Sequence, residues 1–224
     1  MIKLSFTRQE LDAVLKDPAY QPEKLLSFLA RDLGDIYTSD AGLWEKYTIG
    51  EHTLMVLRQF EKYYSYQILP AQIDRNFFRF FISLHDIGKK KAIELGNKDL
   101  QHEHTTALAG DIFQQLNFSD QEWHLFESLV EREYLGHYFK GRDIKATCQE
   151  IISACKKTDL SLLDFLAVLE MFYKVDAGSY TKDASGLESL DKLFFFDHVN
   201  HRLNFSKEVE EKFIILRDAL IYRQ

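Results

Sequence analysis

A histidine and an aspartate stand side by side at the end of one of the most apolar segments of the chain. His85 and Asp86 follow a phenylalanine-rich run at positions 77–82, and Gly88 comes two residues later. Because glycine readily takes the left-handed conformation that ends many helices, we predict a buried helix that stops here with Gly88 left-handed. Burying an imidazole and a carboxylate without partners would be costly, whereas a divalent cation bound by both removes that cost. The negative end of the helix dipole also favours a cation, so the pattern predicts a metal site.

Two further polar residues interrupt apolar helical patterns elsewhere in the sequence. His52 lies in the first turn of a long amphipathic pattern and shares its apolar face with Val56 and Phe60. A histidine in such a position is more often a hydrogen-bonded core residue than a metal ligand. Asp176 directly follows the most apolar segment of the chain, residues 160–175, and is the second acidic residue placed at the end of a buried helix.

The four residues together would offer a metal two imidazole nitrogens and two carboxylates. Such a mixed set suits Mn, Fe, Co, Ni or Zn better than Ca, which prefers ligands that are all oxygen. Polar residues interrupt or end apolar helical patterns at three places in this chain. This recurrence favours a divalent metal ion of this group, or Mg, as the cofactor.

Other polar residues near the predicted helix ends have less specific interpretations. His102, Glu103 and His104 begin a later helical pattern, where they form a second polar cluster. Lys89 is the first of three consecutive lysines, which fits either a solvated run after a helix or a group that faces the substrate. His137 stands in a segment bounded by glycines, where it fits a pocket lining and a solvated loop equally well.

The motifs lie in a recognisable order between about residues 50 and 176. They are Gly50-Glu51-His52-Thr53, Leu84-His85-Asp86-Ile87-Gly88-Lys89, His102-Glu103 with Ala107 four residues on, and the distant Asp176, which is placed by position alone. This order resembles the HD superfamily of metal-dependent phosphohydrolases. The resemblance implies that a first metal is bound by His52, His85, Asp86 and Asp176. It also implies that Lys89, His102 and Glu103 face the substrate or help a second ion.

The sequence departs from the family members that bind two metals. Where those have a histidine after the Leu-Val pair of the next helix, this chain has Leu129-Val130 followed by Glu131-Arg132-Glu133. Three alternatives are open: Glu133 substitutes, His137 reaches in from the loop, or one metal binds. We favour one ion and keep a second as the alternative, and the resemblance assigns no role to His104.

The resemblance implies a hydrolytic mechanism for the catalytic residues. A bound divalent ion lowers the pKa of a water ligand, so that hydroxide can attack phosphorus. Asp86 would accept the proton of that water, Lys89 would stabilise charge on the phosphoryl oxygens, and His102 would protonate the leaving oxygen, with Glu103 beside it. We expect an enzyme that hydrolyses a nucleotide or another small phosphoester, as a phosphomonoesterase or a phosphodiesterase.

Two other functions are kept as alternatives. One is a catalytically silent module of the same type that binds a phosphorylated ligand or partner. The other is an RNA-processing phosphoesterase, since similar motifs accompany enzymes of tRNA repair. The absence of an attached nucleotidyltransferase segment and the acidic balance of the chain both count against RNA processing.

The composition indicates which elements must position these residues. The chain of 224 residues has 18 Phe and 11 Tyr against 10 Gly and 3 Pro, which favours long helices with few tight turns and argues against an all-β sandwich. We predict an all-α, single-domain helical bundle of the HD type. Residues 1–45 would form a short N-terminal helical cover and residues 46–224 the main domain.

The charge and hydropathy of the chain limit which classes of partner we expect. The net charge of −7 and the pI near 5.6 argue against nucleic acid as the main partner. The first residues lack the apolar core of a signal peptide, and no apolar run is long enough to cross a bilayer, so we expect a cytoplasmic protein without a membrane partner. Cys148 and Cys155 are expected to be partly buried thiols. The expected partner is a small phosphorylated substrate.

Overall fold

The computed structural model describes residues 2–42, 46–186 and 190–222, and α-helices make up most of it, which confirms the predicted all-α class. The helices of these ranges are α1 Arg8–Leu15, α2 Pro22–Tyr37, α3 Ile49–Tyr64, α4 Arg75–Leu84, α5 Lys89–Glu94, α6 Gln101–Gln115, α7 Asp120–Val130, α8 Tyr134–Phe139, α9 Ile144–Cys155, α10 Leu162–Gly178 and α11 Lys207–Ile221. Two short strands, β1 Phe194–Asp197 and β2 Arg202–Phe205, lie between α10 and α11. None of the helices in the described ranges is both long and apolar enough to cross a membrane.

The chain packs into two compact units, each made of two stretches of sequence. The first unit comprises Met1–Arg58 and Asp74–Glu131, and the second comprises Gln59–Ile73 and Arg132–Gln224. Helix α3 belongs to both units, because the boundary falls within it. The proposed division into a cover of residues 1–45 and a main domain of residues 46–224 stays a prediction.

Aromatic side chains form the core of the first unit. The ring of Phe113 on α6 lies 4.5 Å from that of Phe118 and 4.9 Å from that of Phe126. The apolar run that predicted a buried helix is α4, on which Phe78 and Phe81 are fully buried. Because the apolar faces of α4 and α6 are buried in this core, the C-terminal end of α4 is held firmly in place.

The second unit is built around α10 and a small hairpin. Phe165, Val168 and Val175 of α10 are fully buried, in agreement with the prediction of a core helix. The strands β1 and β2 pair antiparallel with Phe194 opposite Phe205. Both cysteines, Cys148 and Cys155 on α9, are buried thiols.

Gly88 forms part of the turn between α4 and α5, but not in the predicted conformation. Its φ of −79° and ψ of −14° are right-handed, so the expectation of a left-handed helix end is wrong. The reason for glycine is a close approach instead: a Cβ atom placed there would lie 2.2 Å from the Thr105 nitrogen and 2.4 Å from the Gln101 carbonyl oxygen. The Gly88 N–H also donates to the Thr105 hydroxyl at 3.0 Å. The turn that follows Asp86 is therefore fixed directly on the first turn of α6.

We expect Gly88→Ala to destabilise the protein by about 3 kcal/mol or more, the upper end of the range for overpacking, because backbone atoms lie in the way. Urea unfolding followed by circular dichroism measures the change. Gly34→Ala, inside α2, is the control: a Cβ there meets nothing within 4 Å. Since alanine favours a helix interior, this control should stabilise the protein by about 0.5–1 kcal/mol. Equal stabilities of the two variants would contradict the close approach.

Candidate metal centre

Three of the predicted metal ligands come together in the first unit. His52 lies in the first turn of α3, while His85 and Asp86 directly follow α4. All three are buried, with exposed fractions of 0%, 7% and 5%. One nitrogen of each imidazole and one carboxylate oxygen of Asp86 lie within 4.8 Å of one another. The three side chains could therefore hold a single metal ion.

One oxygen atom is the point on which the site converges. Oδ2 of Asp86 lies 3.2 Å from Nε2 of His52, 3.3 Å from Nε2 of His85 and 2.7 Å from Nζ of Lys89. Burial by itself would raise the pKa of Asp86, but the charges of His85 and Lys89 and hydrogen bonds from His52 and His85 hold that pKa well below its ordinary value. Asp86 is thus a carboxylate at neutral pH, which is the form that binds metals.

The backbone at the end of α4 fixes the ring of His85. The last carbonyl groups of a helix have no partner inside the helix and need another donor. Nδ1 of His85 lies 2.6 Å from the Ile82 carbonyl oxygen, and the Tyr37 hydroxyl donates to the Ser83 carbonyl oxygen at 2.8 Å. Two carbonyl groups of the last turn are thereby satisfied by side chains, one of which is a candidate ligand itself.

The bond to Ile82 also decides which nitrogen of His85 can bind a metal. A carbonyl oxygen only accepts, so Nδ1 must carry a proton, and in the neutral ring Nε2 then presents a lone pair. That lone pair faces Oδ2 of Asp86 at 3.3 Å, where two acceptors would repel each other. A proton on Nε2 or a cation next to both atoms removes the repulsion. A hydrogen bond that orients the far nitrogen is the usual companion of a histidine ligand.

Local sequence places His52 through the start of α3. The Glu51 carboxylate accepts from the Thr48 N–H at 2.7 Å, and the Thr48 hydroxyl accepts from the Glu51 N–H at 3.1 Å. This reciprocal pair caps the helix and sets its first turn. Gly50 in that turn packs against Tyr37, where a Cβ atom would lie 2.9 Å from the Tyr37 carbonyl oxygen. The end of α2 therefore limits where His52 can lie.

The predicted catalytic residues of the first unit differ in exposure. Lys89, the first residue of α5, is only 6% exposed and pairs with Asp86. On α6, His102 and His104 are half-buried and Glu103 is exposed. Gln101 on the same helix is buried, with its Oε1 atom enclosed and without a hydrogen-bond partner among the described residues. The roles proposed for His102 and Glu103 stay predictions.

Asp176, the fourth predicted ligand, lies in the second unit in the last turn of α10, where it is half-buried. Burial and the charges of Asp176 and Glu133 raise the pKa of Tyr173, so both carboxylates lie near that phenol. Glu133 is exposed and its Oε2 lies 3.7 Å from Nζ of Lys140. The place of Asp176 in the metal site and the alternatives for Glu133 and His137 stay predictions. The segment around His137, expected to be a loop, is the short helix α8.

Sequence reasoning did not identify Tyr37 as part of the site. Its burial was detectable, because Leu25, Leu29, Leu33 and Tyr37 recur every fourth residue and all are buried. Its partner was not, because Ser83 lies 46 positions further along the chain. Sequence reasoning also missed that Gln101 is buried, although it lies on the same inward face of α6 as Thr105 and Ala109. The adjacent His102 and Glu103 were predicted instead, because their side chains can transfer protons.

We expect the depressed pKa of Asp86 to make the metal-free protein sensitive to acid. A carboxylate whose pKa is lowered by folding stabilises the protein fully above its ordinary pKa of 3.8, and this contribution is lost as the pH falls through the folded-state value. Between about pH 5 and pH 2, the free energy of unfolding should fall further in the wild type than in Asp86→Asn. Urea titrations at several pH values measure the difference. Parallel curves for the two proteins would contradict it.

Comparisons with known proteins did not identify a relative of this chain. A scan against models of protein families, a search of curated proteins and a search of solved structures each gave no match.

Proposed function

We propose that this protein is a metal-dependent phosphohydrolase of the HD type that acts on a nucleotide or another small phosphoester. The observation that carries the proposal is the buried group of His52, His85 and Asp86, whose ligand atoms lie within 4.8 Å of one another. The order of motifs in the sequence assigned these same three residues to one metal site. Because the motif and the spatial cluster select the same residues, a functional metal site is favoured over buried polar residues that are only hydrogen-bonded within the core.

The donor set fits a divalent metal ion. Two imidazoles and a carboxylate suit Mn, Fe, Co, Ni or Zn, and Asp176 is proposed as the fourth ligand. The hydrogen bond between His85 and Ile82 keeps the ligating nitrogen free of a proton in the neutral ring. When bound, the ion would supply a water of lowered pKa and polarise a phosphoryl oxygen.

The residues around the centre have separate roles in the proposed reaction. Asp86 is ionised and accepts the proton that the attacking water gives up. The Lys89 ammonium lies 2.7 Å from Asp86 and is near enough to neutralise charge that develops on the phosphoryl group. His102 donates a proton to the leaving oxygen, and Glu103 lies beside it on α6. The half-buried position of His102 suits contact with a ligand that enters from solvent.

A silent binding module is the second candidate function. It is favoured by two features of the described residues: Lys89 is engaged by Asp86, and Glu103 is exposed. In such a module the same basic and metal-bound groups would hold a phosphorylated ligand without turnover.

Metal analysis combined with a substrate panel tests the proposal. Untagged protein is purified without chelator, its metal content is measured, and hydrolysis is followed with an aryl phosphate, an aryl phosphodiester, nucleotides and a short RNA in added Mn, Co, Ni or Mg. The proposal expects about one ion per chain and turnover of a small phosphoester that a chelator abolishes. Bound metal without turnover would favour the module, turnover of RNA alone would favour RNA processing, and the absence of metal binding would overturn the proposal.

A further inference from the structure

Tyr37 connects the two chain segments that carry the candidate ligands. Its side chain is 5% exposed, and its hydroxyl donates to the Ser83 carbonyl oxygen at 2.8 Å. Ser83 stands two residues before His85, in the last turn of α4. A phenylalanine would fill the same space, so the hydroxyl is the feature of this residue that requires a specific reason.

The backbone of the same residue contacts α3. A Cβ atom on Gly50 would lie 2.9 Å from the Tyr37 carbonyl oxygen and 3.1 Å from the Tyr37 Cβ, so the two segments are packed as closely as glycine allows. Gly50 stands two residues before His52. The Ile49 N–H also donates to the Ser39 carbonyl oxygen at 2.8 Å, which ties the start of α3 to the chain just after α2.

From these contacts we infer that Tyr37 is a positioning residue for the metal centre, which sets the separation between His52 and the His85-Asp86 pair. This inference rests on the metal site of the proposed function, but not on hydrolysis. The backbone and Cβ of Tyr37 fix the turn that carries His52, and the Tyr37 hydroxyl fixes the turn that precedes His85. Metal affinity depends on ligands held at the right separation before the ion arrives, and the groups that orient ligands affect it strongly.

Tyr37→Phe tests the inference, because it removes the hydroxyl and keeps the ring. Loss of an orienting hydrogen bond at a metal site typically weakens metal binding about 10- to 100-fold, and we expect about 10-fold here because Tyr37 acts through the backbone. Calorimetric titration with Mn²⁺ and the visible absorption of bound Co²⁺ measure the affinity and the ligand geometry. We expect weaker binding and a changed Co²⁺ spectrum.

Tyr63→Phe is the matched control. Tyr63 is 2% exposed, and its hydroxyl donates to the Asp183 carboxylate at 2.7 Å in the second unit. This variant also loses one hydrogen bond of a buried tyrosine, so it should lower the melting temperature of the metal-free protein comparably while leaving Mn²⁺ affinity and the Co²⁺ spectrum unchanged. A purely structural role for Tyr37 would make the two variants alike.

The outcomes separate this inference from the proposed function. If the wild type binds Mn²⁺ and Tyr37→Phe binds it equally well, the inference is wrong and the metal site stands. If the wild type binds no divalent metal, the proposed function fails and the inference fails with it.

Should Tyr37→Phe not fold, Gly50→Ala tests the second contact, because its methyl group pushes α3 away from Tyr37. Weaker Mn²⁺ binding by that variant supports the inference, and unchanged binding overturns it.

Discussion

Asp86→Asn should abolish binding of divalent metal and lower the hydrolysis of a phosphoester at least about 1000-fold, since a metal ion supplies several kcal/mol of transition-state stabilisation. The reason is the position of one atom. Oδ2 of Asp86 is the oxygen on which His52, His85 and Lys89 converge. An amide at this position is a weak, neutral ligand, and half of its polar atoms are donors that repel a cation.

The same substitution should also reduce stability, by a separate mechanism. Lys89 is 6% exposed, and without the Asp86 carboxylate its ammonium would be a buried charge with its ion pair broken. Removing one partner of a buried pair typically costs about 3–5 kcal/mol. Activity must therefore be measured at a temperature at which circular dichroism shows that Asp86→Asn is folded. Metal content is measured on the same sample.

Asp183→Asn is a matched control for this prediction. The Asp183 carboxylate is also largely enclosed and is held by a similar set of groups: Nζ of Lys62 at 2.8 Å, the Tyr63 hydroxyl at 2.7 Å and Nε2 of His198 at 3.4 Å. We expect this variant to lose stability while it keeps the metal content and activity of the wild type. If Asp86→Asn kept its metal and its turnover, the assignment of the centre would be wrong.

The sequence was most informative where chemistry and periodicity coincide. His85 and Asp86 could be identified because two polar residues end a run of buried phenylalanines, and His52 because it lies on the apolar face of an amphipathic helix. Their convergence in the first unit followed from the resemblance, and the structure confirms it for these three residues. Asp176 has only its position after α10 as a signal, and its role stays a prediction.

Other features depend on contacts that no local pattern encodes. Gly88 was expected to end the helix in the left-handed conformation, whereas the need for glycine comes from the close approach of α6, whose first residue lies 13 positions further on. The β1–β2 hairpin was missed because its turn lacks glycine, with His201 at a φ of +50° instead. The hairpin also leaves Phe195 61% exposed while its neighbour Phe194 is buried, because successive side chains of a strand point to opposite faces.

Lys89→Met should change metal affinity and turnover in opposite directions. Nζ of Lys89 lies 2.7 Å from Oδ2 of Asp86, the oxygen that would also bind the metal. A divalent ion must therefore displace the ammonium or share one oxygen with it, and two cations at that distance repel each other. Methionine fills similar space without charge. We expect Mn²⁺ to bind about 10-fold more tightly, which corresponds to about 1.4 kcal/mol of relieved repulsion.

Turnover should fall about 100-fold in the same variant, because the ammonium that we propose neutralises the phosphoryl oxygens is lost, and one such group typically contributes a factor of about 100–1000. Calorimetric titration with Mn²⁺ and steady-state kinetics on a phosphoester measure the two effects. Lys90→Met is the control, since Lys90 is the next residue but pairs with the exposed Asp35 instead, and it should change neither quantity.

A general structural defect would weaken both metal binding and turnover, so a fall in Mn²⁺ affinity of Lys89→Met would contradict the competition between the lysine and the metal. A fall in turnover with unchanged affinity would place Lys89 at the substrate alone, which its contact with Asp86 argues against.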